Sequence, residues 1–381
     1  MKTTLNDPAP LEAAVAAYRT LLQEQLARTE RLSDAAATPL AERETIVVGL
    51  IAGDGIGPLI MEPVQTVLET LLHDQLAAGR VVLRPVTGLT LENRLQLGQS
   101  VPDEVLAQIK SCDVILKGPT TTPHGGTMES ANVTLRRELD LYANVRPVCV
   151  PEKQIDWTFF RENTEGEYIL GSRGVELAGI LACDFKVITV PGTLRIARAA
   201  FDFARANRKQ RVTVVTKANI MKKTDGLFSA LCHRVAADYP EIEVEDRYVD
   251  IVAADLINPD VQSRYQVFVL PNLYGDILTD EAAQLMGGVG TAGSANLGDR
   301  YAIFEPIHGS APRLLEDGLG DYVNPASLLR AAQMLLTHAS LTDAADRLAR
   351  ALDQTLAAVT VNGTREGRTC REFTEHLLRL L

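Results

Sequence analysis

Asp276 and Asp280 lie four residues apart in "PNLYGDILTDEAAQL". On a helix that spacing puts their Cβ atoms roughly 5 to 6 Å apart on one face, so two hard oxygen donors point the same way. Such a pair suits Mg²⁺ or Mn²⁺, which prefer carboxylates and take a substrate oxygen as a further ligand. The same spacing also serves a helix cap at Asp276 beside a solvated Asp280. Upstream, "GGTMESANVTLRRELDLYANVRPV" carries Ser130, Asn132, Arg136, Arg137 and Arg146, and "FFRENTEGEY" adds Arg161 and Tyr168. Several guanidiniums near short polar side chains suit a polycarboxylate, because each grips a carboxylate through two parallel N–H bonds. Taken singly, each arginine equally fits a salt-bridged helix face with Ser130 as its cap. Lys217 and Asn219 in "VVTKAN" follow a β-type run, and a lysine there serves as a proton acceptor if its pKa is lowered. In "FEPIHGSAPR", Gly309, Ser310 and Ala311 allow close backbone approach to a phosphate, with His308 and Arg313 as flanking donors.

These groups need rigid elements to hold them. "TIVVGLIAG", "DVILKGP", "RVTVVTKAN", "YQVFVLPN" and "YAIFEPIHG" are β-branched runs bounded by Gly, Pro or Asn. Between them lie helical patterns such as "PDEVLAQIKS", "GTLRIARAAFDFARANRK", "DGLFSALCHRVAADYP" and "PASLLRAAQMLLTH". The alternation predicts an α/β protein with a largely parallel sheet. "GEYILGSRGVELAGILACDFKVITVPG" breaks the rhythm and predicts two β-like runs around "GSRGVELAG", a hairpin able to reach a second subunit. In residues 1–43, Leu11, Val15, Tyr18, Leu22 and Leu26 are spaced for one helix face, predicted to pack on its own domain or on a neighbouring subunit. Gly53, Gly55 and Gly57 in "IAGDGIGP" suggest the G-x-G-x-x-G turn of dinucleotide-binding folds, but Pro58 stands where the third glycine belongs.

The chain of 381 residues, 46% hydrophobic, is long enough for two or three domains. Its net charge of -11 and lack of a long basic cluster exclude a nucleic-acid surface, so an anionic ligand must meet a local pocket of cations. Cys112, Cys149, Cys183, Cys232 and Cys370 are scattered without a C-x-x-C pair, as for reduced thiols. No apolar run approaches the ~18 residues that span a bilayer. Asp7, Glu12, Glu24 and Glu30 argue against a signal or transit peptide, so a cytoplasmic protein with no membrane partner is expected. No P-loop, Cys/His metal spacing or G-x-S-x-G elbow competes with the picture above.

Taken in order, "GDGIGP", "LKGPTTTP", "RRELDLYANVRPV", "RENTEGEY", "TKAN", "PNLYGDILTDEAAQLMGGVGTAGSANLG" and "FEPIHGSAP" resemble the β-decarboxylating dehydrogenases, the family of isocitrate, isopropylmalate, homoisocitrate and tartrate dehydrogenases. The resemblance runs from about Thr45 to the C-terminus. It implies an isocitrate/isopropylmalate dehydrogenase-like α/β fold and not a Rossmann fold. Residues 44–141 and 287–381 would form a large domain, 142–165 and 190–286 a small one, and 166–189 a β-rich clasp between subunits, with 1–43 a helical extension. It also implies a homodimer with shared active sites.

By the same resemblance, Arg136, Arg146 and Arg161 clamp the two carboxylates common to the family's substrates, and Lys117 joins the substrate site. Tyr168 would be the general acid that protonates the carbon left by CO₂, and Lys217, accompanied by Asn219, the partner-subunit base. Asp250, Asp276 and Asp280 would hold Mg²⁺ or Mn²⁺, with Asp250 from the other subunit. Cofactor contacts would fall on Ile56, Thr121, Thr122, Glu305, His308, Gly309, Ser310, Ala311, Arg313 and Asn324. The "IAGDGIGP" turn then lies beside the cofactor without gripping its pyrophosphate, and Pro58 suits the first turn of the next helix.

Ser130 and Asn132 match the pattern of isocitrate dehydrogenases, in which both contact a third carboxylate; an isopropyl group would want apolar residues, and only Met128 offers one. Thr127 and Glu129 leave homoisocitrate and tartrate open. Arg313 stands where NAD-using relatives carry an acidic residue, and a cation there favours NADP over NAD. Leu314 replaces the tyrosine of NADP-using relatives, with Arg365 or Arg368 as substitutes for their second cation. Non-catalytic regulatory paralogues lose catalytic groups, whereas Tyr168, Lys217 and the three aspartates are all present.

Overall fold

The computed structural model describes residues 8–31, 40–123, 128–169, 173–177, 180–288, 290 and 292–381. The strands in chain order are β1 (Ile46–Ile51), β2 (Val81–Pro85), β3 (Val114–Lys117), β4 (Ala143–Val150), β5 (Ile155–Glu162), β6 (Val175–Leu177), β7 (Leu181–Cys183), β8 (Arg211–Thr216), β9 (Glu243–Tyr248), β10 (Val267–Leu270), β11 (Gly293–Leu297) and β12 (Ala302–Pro306). Ten of them form one sheet in the order β2-β1-β3-β12-β11-β4-β5-β10-β8-β9. β2, β1, β3 and β12 are mutually parallel, as are β5, β10, β8 and β9. Between the two groups β12–β11, β11–β4 and β4–β5 all pair antiparallel. Three reversals make the two parallel groups run in opposite directions. The sheet therefore continues through the segments assigned above to separate domains, crossing at Ala295↔Val145, Asn296↔Asn144 and Leu297↔Ala143.

Parallel strands covered on both faces need apolar residues throughout, and β3, β8 and β10 are almost fully buried. Their cover comes from amphipathic helices. Helix Val190–Ala206 buries Ile196, Ala197, Ala200 and Phe201, and helix Ala326–His338 buries Leu328, Leu329, Leu335 and Leu336. Under the far half of the sheet, Phe159 and Phe268 stack at 4.3 Å with Trp157 edge-on to both. No described helix is long and apolar enough to cross a membrane. All five cysteines are free.

Two expectations shift. The hairpin pairs Val175↔Cys183 and Leu177↔Leu181, so "VEL", read as part of the turn, is a strand, while Tyr168 and Ile169 lie in a turn. Short runs with glycines on both sides leave the register open. In helix Pro8–Arg31 the apolar stripe stays largely open: Leu11, Val15, Tyr18, Leu22 and Leu26 are 42–65% exposed, although Tyr18 stacks on Phe185. The face carrying Leu21, Gln25 and Arg28 docks instead, because Arg28 finds an ion-pair partner in the buried Glu165.

Candidate active site

Helix Ala131–Glu138 presents Arg136 because Leu135 turns inward, followed by buried Leu139 and Leu141. Ser130 occupies the N-cap position, yet its hydroxyl makes no capping hydrogen bond, so the cap reading does not account for it. Asn132 accepts from the Thr120 hydroxyl at 3.0 Å. Glu129 receives Arg137 at 3.0 and 2.9 Å and the Thr134 hydroxyl at 3.0 Å, and the Met128 sulfur lies 3.9 Å from Arg94. Thr127 lies outside the described residues.

Arg146 on β4 and Arg161 on β5 converge on helix Asn272–Gln284, which follows β10. Arg161 donates to the Asn272 side chain at 2.9 and 2.7 Å and to Asp276. Arg146 donates to Asp280 at 2.8 Å and to Thr279 at 2.6 Å, and lies 3.8 Å from Asp276. Asp276 is the fifth residue of its helix, so it is not a cap. Gly275 packs on Arg161: a Cβ there would stand 2.6 Å from the arginine side chain. Burial, then the charge of Arg136, lower the proton affinity of the Arg161 guanidinium, and Asp276 opposes them. Burial alone would raise the Asp276 carboxyl; Arg161, Tyr168 and Arg146 outweigh it and hold it below its ordinary value.

Tyr168 donates to Asp276 at 2.7 Å, with the Arg161 guanidinium 5.4 Å from its ring centre. Burial and this hydrogen bond push the phenol up to about 12. It keeps its proton across neutral pH, as a proton donor must.

Beneath Arg136 sits a buried polar chain that the motifs did not reveal. Glu305 on β12 pairs with Lys117 at 2.8 Å and lies 3.7 Å from Arg136. It accepts from Asn296 at 2.7 Å, whose carbonyl takes N–H groups from Asn144 and Asn163, each at 2.9 Å. Burial would raise the Glu305 carboxyl, but Lys117 and Arg136 hold it down to about 2. Glu305, expected at the cofactor, lies beside Lys117 and Arg136 of the arginine cluster and is 7% exposed. The sequence signal was an asparagine inside each of the apolar runs "YANV" and "SANL"; buried amides persist where they are hydrogen-bonded. The cluster sets Lys117, Arg136, Arg146 and Arg161 against Glu305, Asp276 and Asp280, an excess of cation that suits an anion.

Lys217 and Asp250 stand apart. They pair with each other, and Lys217 lies 5.7 Å from the Tyr248 ring centre. Neither bonds to the arginine cluster, and Asn219 beside them is exposed. Among the described residues no three Asp, Glu, His or Cys side chains gather to hold a metal. Asp276 and Asp280 are 37% and 59% exposed, and as hard oxygen donors they fit the in-chain part of a Mg²⁺ or Mn²⁺ site.

A groove of about 750 Å³ gathers Ile56, His308, Gly309, Ala311, Leu314 and Asn324 against Val359–Gly363. "GDGIGP" and "HGSAP" meet here: Ile56 N–H donates to the Ser310 carbonyl at 3.0 Å, and a Cβ on Gly55 (φ +57°) would stand 2.1 Å from that oxygen. Gly53 (φ +77°) approaches the Pro119 carbonyl equally closely. Asp54 accepts from Thr121 N–H at 2.8 Å and Leu91 N–H at 2.7 Å, and Thr121 and Ser310 hydroxyls lie 2.6 Å apart. Thr122 is exposed beside them. Gly309 has open space where a side chain would sit. His308 turns one ring nitrogen to the Gly309 carbonyl at 2.9 Å, leaves Nε2 buried without a partner among the described residues, and burial lowers its proton affinity. Asn324 spends its amide on Val361 at 3.1 Å and Ala326 at 2.9 Å. Arg313 is exposed on helix Pro312–Glu316; Arg368 pairs with Glu372 at 2.9 Å. A Cβ placed on Gly318, just past that helix, would stand 4.0 Å from the Arg365 guanidinium.

The family profile described as isocitrate/isopropylmalate dehydrogenase matches residues 47–377. The chain is 38% identical to a Drosophila melanogaster protein named probable isocitrate dehydrogenase [NAD] subunit alpha, mitochondrial, over 92% of each chain. It is 37% identical to the chloroplastic 3-isopropylmalate dehydrogenase of Solanum tuberosum, over 91% of this chain and 95% of that one. Relatives named for NAD and for NADP both match. The isocitrate dehydrogenase structure from Methylococcus capsulatus superposes with a TM-score of 0.78 at 35% identity, over 88% of this chain and 99% of that one. Fold, motif order and sequence agree: the chain belongs to the isocitrate/isopropylmalate dehydrogenase family.

Proposed function

We propose that the protein oxidises isocitrate and releases CO₂, forming 2-oxoglutarate and reducing NADP in preference to NAD. The observation that carries this reading is the convergence of Arg146, Arg161 and Tyr168 on Asp276, with the charge of Arg136 acting on the same carboxylate. Arg146 and Arg161 pair with Asp276 and Asp280, carboxylates open enough to be exchanged for a substrate's carboxylates with bidentate geometry. Ser130, whose hydroxyl makes no capping hydrogen bond, and Asn132 stand at the same helix start and would supply polar contacts for a third carboxylate.

Asp276 and Asp280, joined by Asp250 of a second copy, would hold Mg²⁺ or Mn²⁺; the ion would polarise the substrate oxygen and stabilise charge developing on it. Arg136, Arg146 and Arg161 orient the carboxylates, so that the bond to the departing CO₂ is fixed relative to the nicotinamide. Lys217 of the second copy takes the hydroxyl proton, and Tyr168 delivers one to the carbon that loses CO₂. The homodimer reading draws support from Ile220, Met221, Tyr248 and Ile251, large apolar side chains exposed around Lys217 and Asp250. A reducing compartment such as the cytoplasm fits five free thiols. For the cofactor, exposed Arg313 and nearby Arg365 suit a 2′-phosphate at the rim of the groove.

Purified protein assayed with Mn²⁺, each of NAD and NADP, and isocitrate, 3-isopropylmalate, homoisocitrate and tartrate in parallel tests the reading. Isocitrate with NADP should give the highest kcat/KM; preference for isopropylmalate would contradict it.

A further inference from the structure

We propose that Gln25, on the N-terminal helix outside the family-matched region, is a substrate-contacting residue that selects a polar, hydroxyl- or carboxylate-bearing group on the substrate. A cavity of about 480 Å³ adjoins the arginine cluster, walled on one side by Arg136 and Tyr168 and on the other by Gln25 and Arg28. Gln25 is 9% exposed, and its Oε1 is buried with no hydrogen-bond partner among the described residues. Across the cavity Arg136 Nε is likewise buried without an acceptor. Gln25 and Arg136 both line this cavity, and a polar atom buried without a partner is costly unless a ligand completes it.

Other cations of the cavity are engaged. Arg137 holds Glu129, and Arg28 donates to the buried Glu165 carboxylate at 2.9 Å and to Thr164 at 3.0 Å. That latch ties the helix to the segment carrying both Arg161 and Tyr168. Leu21 packs with Ile169, and Tyr18 stacks on Phe185 at 4.7 Å. The helix is thereby fixed as a wall of the pocket, and of its described cavity-lining residues Glu24 and Arg28 are ion-paired while Gln25 keeps an oxygen without a partner. A carboxylate accepts from Arg136 and from the amide N–H₂ in its turned-over orientation, and a hydroxyl donates to Oε1. A branched alkyl group satisfies neither, so Gln25 disfavours it.

This inference rests on the polycarboxylate reading of the arginine cluster. Its test is steady-state kinetics of Gln25→Ala and Gln25→Leu, with Mn²⁺ and cofactor, on isocitrate and 3-isopropylmalate. KM for isocitrate should rise about tenfold or more with kcat within about twofold, and Gln25→Leu should narrow the preference for isocitrate over isopropylmalate. Arg28→Ala should raise KM and also speed proteolytic cleavage within residues 8–31, whereas Gln25→Ala should leave cleavage unchanged; this separates substrate contact from loss of the helix. Wild-type turnover of isocitrate with both Gln25 variants within about twofold in KM overturns the role of Gln25 alone. Wild-type protein active only on isopropylmalate, or on none of the substrates, overturns the substrate reading and this inference together.

Discussion

Tyr168 is the residue at which position and proton affinity agree most closely. Its phenol is held at about 12, so it stays protonated at the pH where a carbanion-like centre must be quenched. Tyr168→Phe should lower overall decarboxylation by roughly 10²-fold or more, measured as CO₂ release; a wild-type rate would remove its role. Glu305 supports the site from below. Its folded value of about 2 lies beneath the ordinary 4.5, so its contribution to stability is present above about pH 4.5 and lost as pH falls towards 2. Glu305→Gln leaves Lys117 buried without its counter-charge and should destabilise the fold by about 3–5 kcal/mol in urea unfolding at pH 7. The difference from wild type should shrink as pH falls through that window. Family resemblance, not spacing, joined Arg136, Arg161 and Asp276 in one site, and the pairing of Glu305 with Lys117 was not legible because it forms across strands that are 188 residues apart in chain order.

Elements with a strong local period were legible: β1, β3, β8, β10 and β12 fall inside the apolar runs that announce them. β9, "EVEDRY", was not, because an edge strand with a polar face lacks the apolar signal. The N-terminal helix was legible as a helix, but its docking face was not. Five apolar positions marked one stripe, and Arg28 meeting Glu165 decided the other. The "IAGDGIGP" turn owes its glycines to contact with Ser310 and Pro119, which no local reading supplies. Gly55→Ala should therefore push the "HGSAP" loop away and raise KM for the cofactor by about tenfold or more, with KM for isocitrate little changed. Equal cofactor KM values in wild type and variant would contradict the contact's role.

At the scale of the molecule, Lys217 and Asp250 do not meet Tyr168 and Asp276 within one chain, although sequence resemblance puts all four in one site. A second copy resolves this if each site draws on both chains. Tyr168→Phe and Lys217→Ala proteins should each be nearly inactive. Refolded together in equal amounts they should recover about a quarter of wild-type activity, because half the dimers then hold one intact site; no recovery would contradict sharing. The central claim is that hydride transfer and CO₂ loss are coupled on isocitrate through a divalent ion at Asp276 and Asp280. The most direct measurement is the ratio of CO₂ released to NADPH formed from isocitrate, with Mn²⁺ and then with excess EDTA. The account predicts one CO₂ per NADPH with Mn²⁺ and loss of both products in EDTA. NADPH formed without CO₂, or full turnover in EDTA, would contradict it.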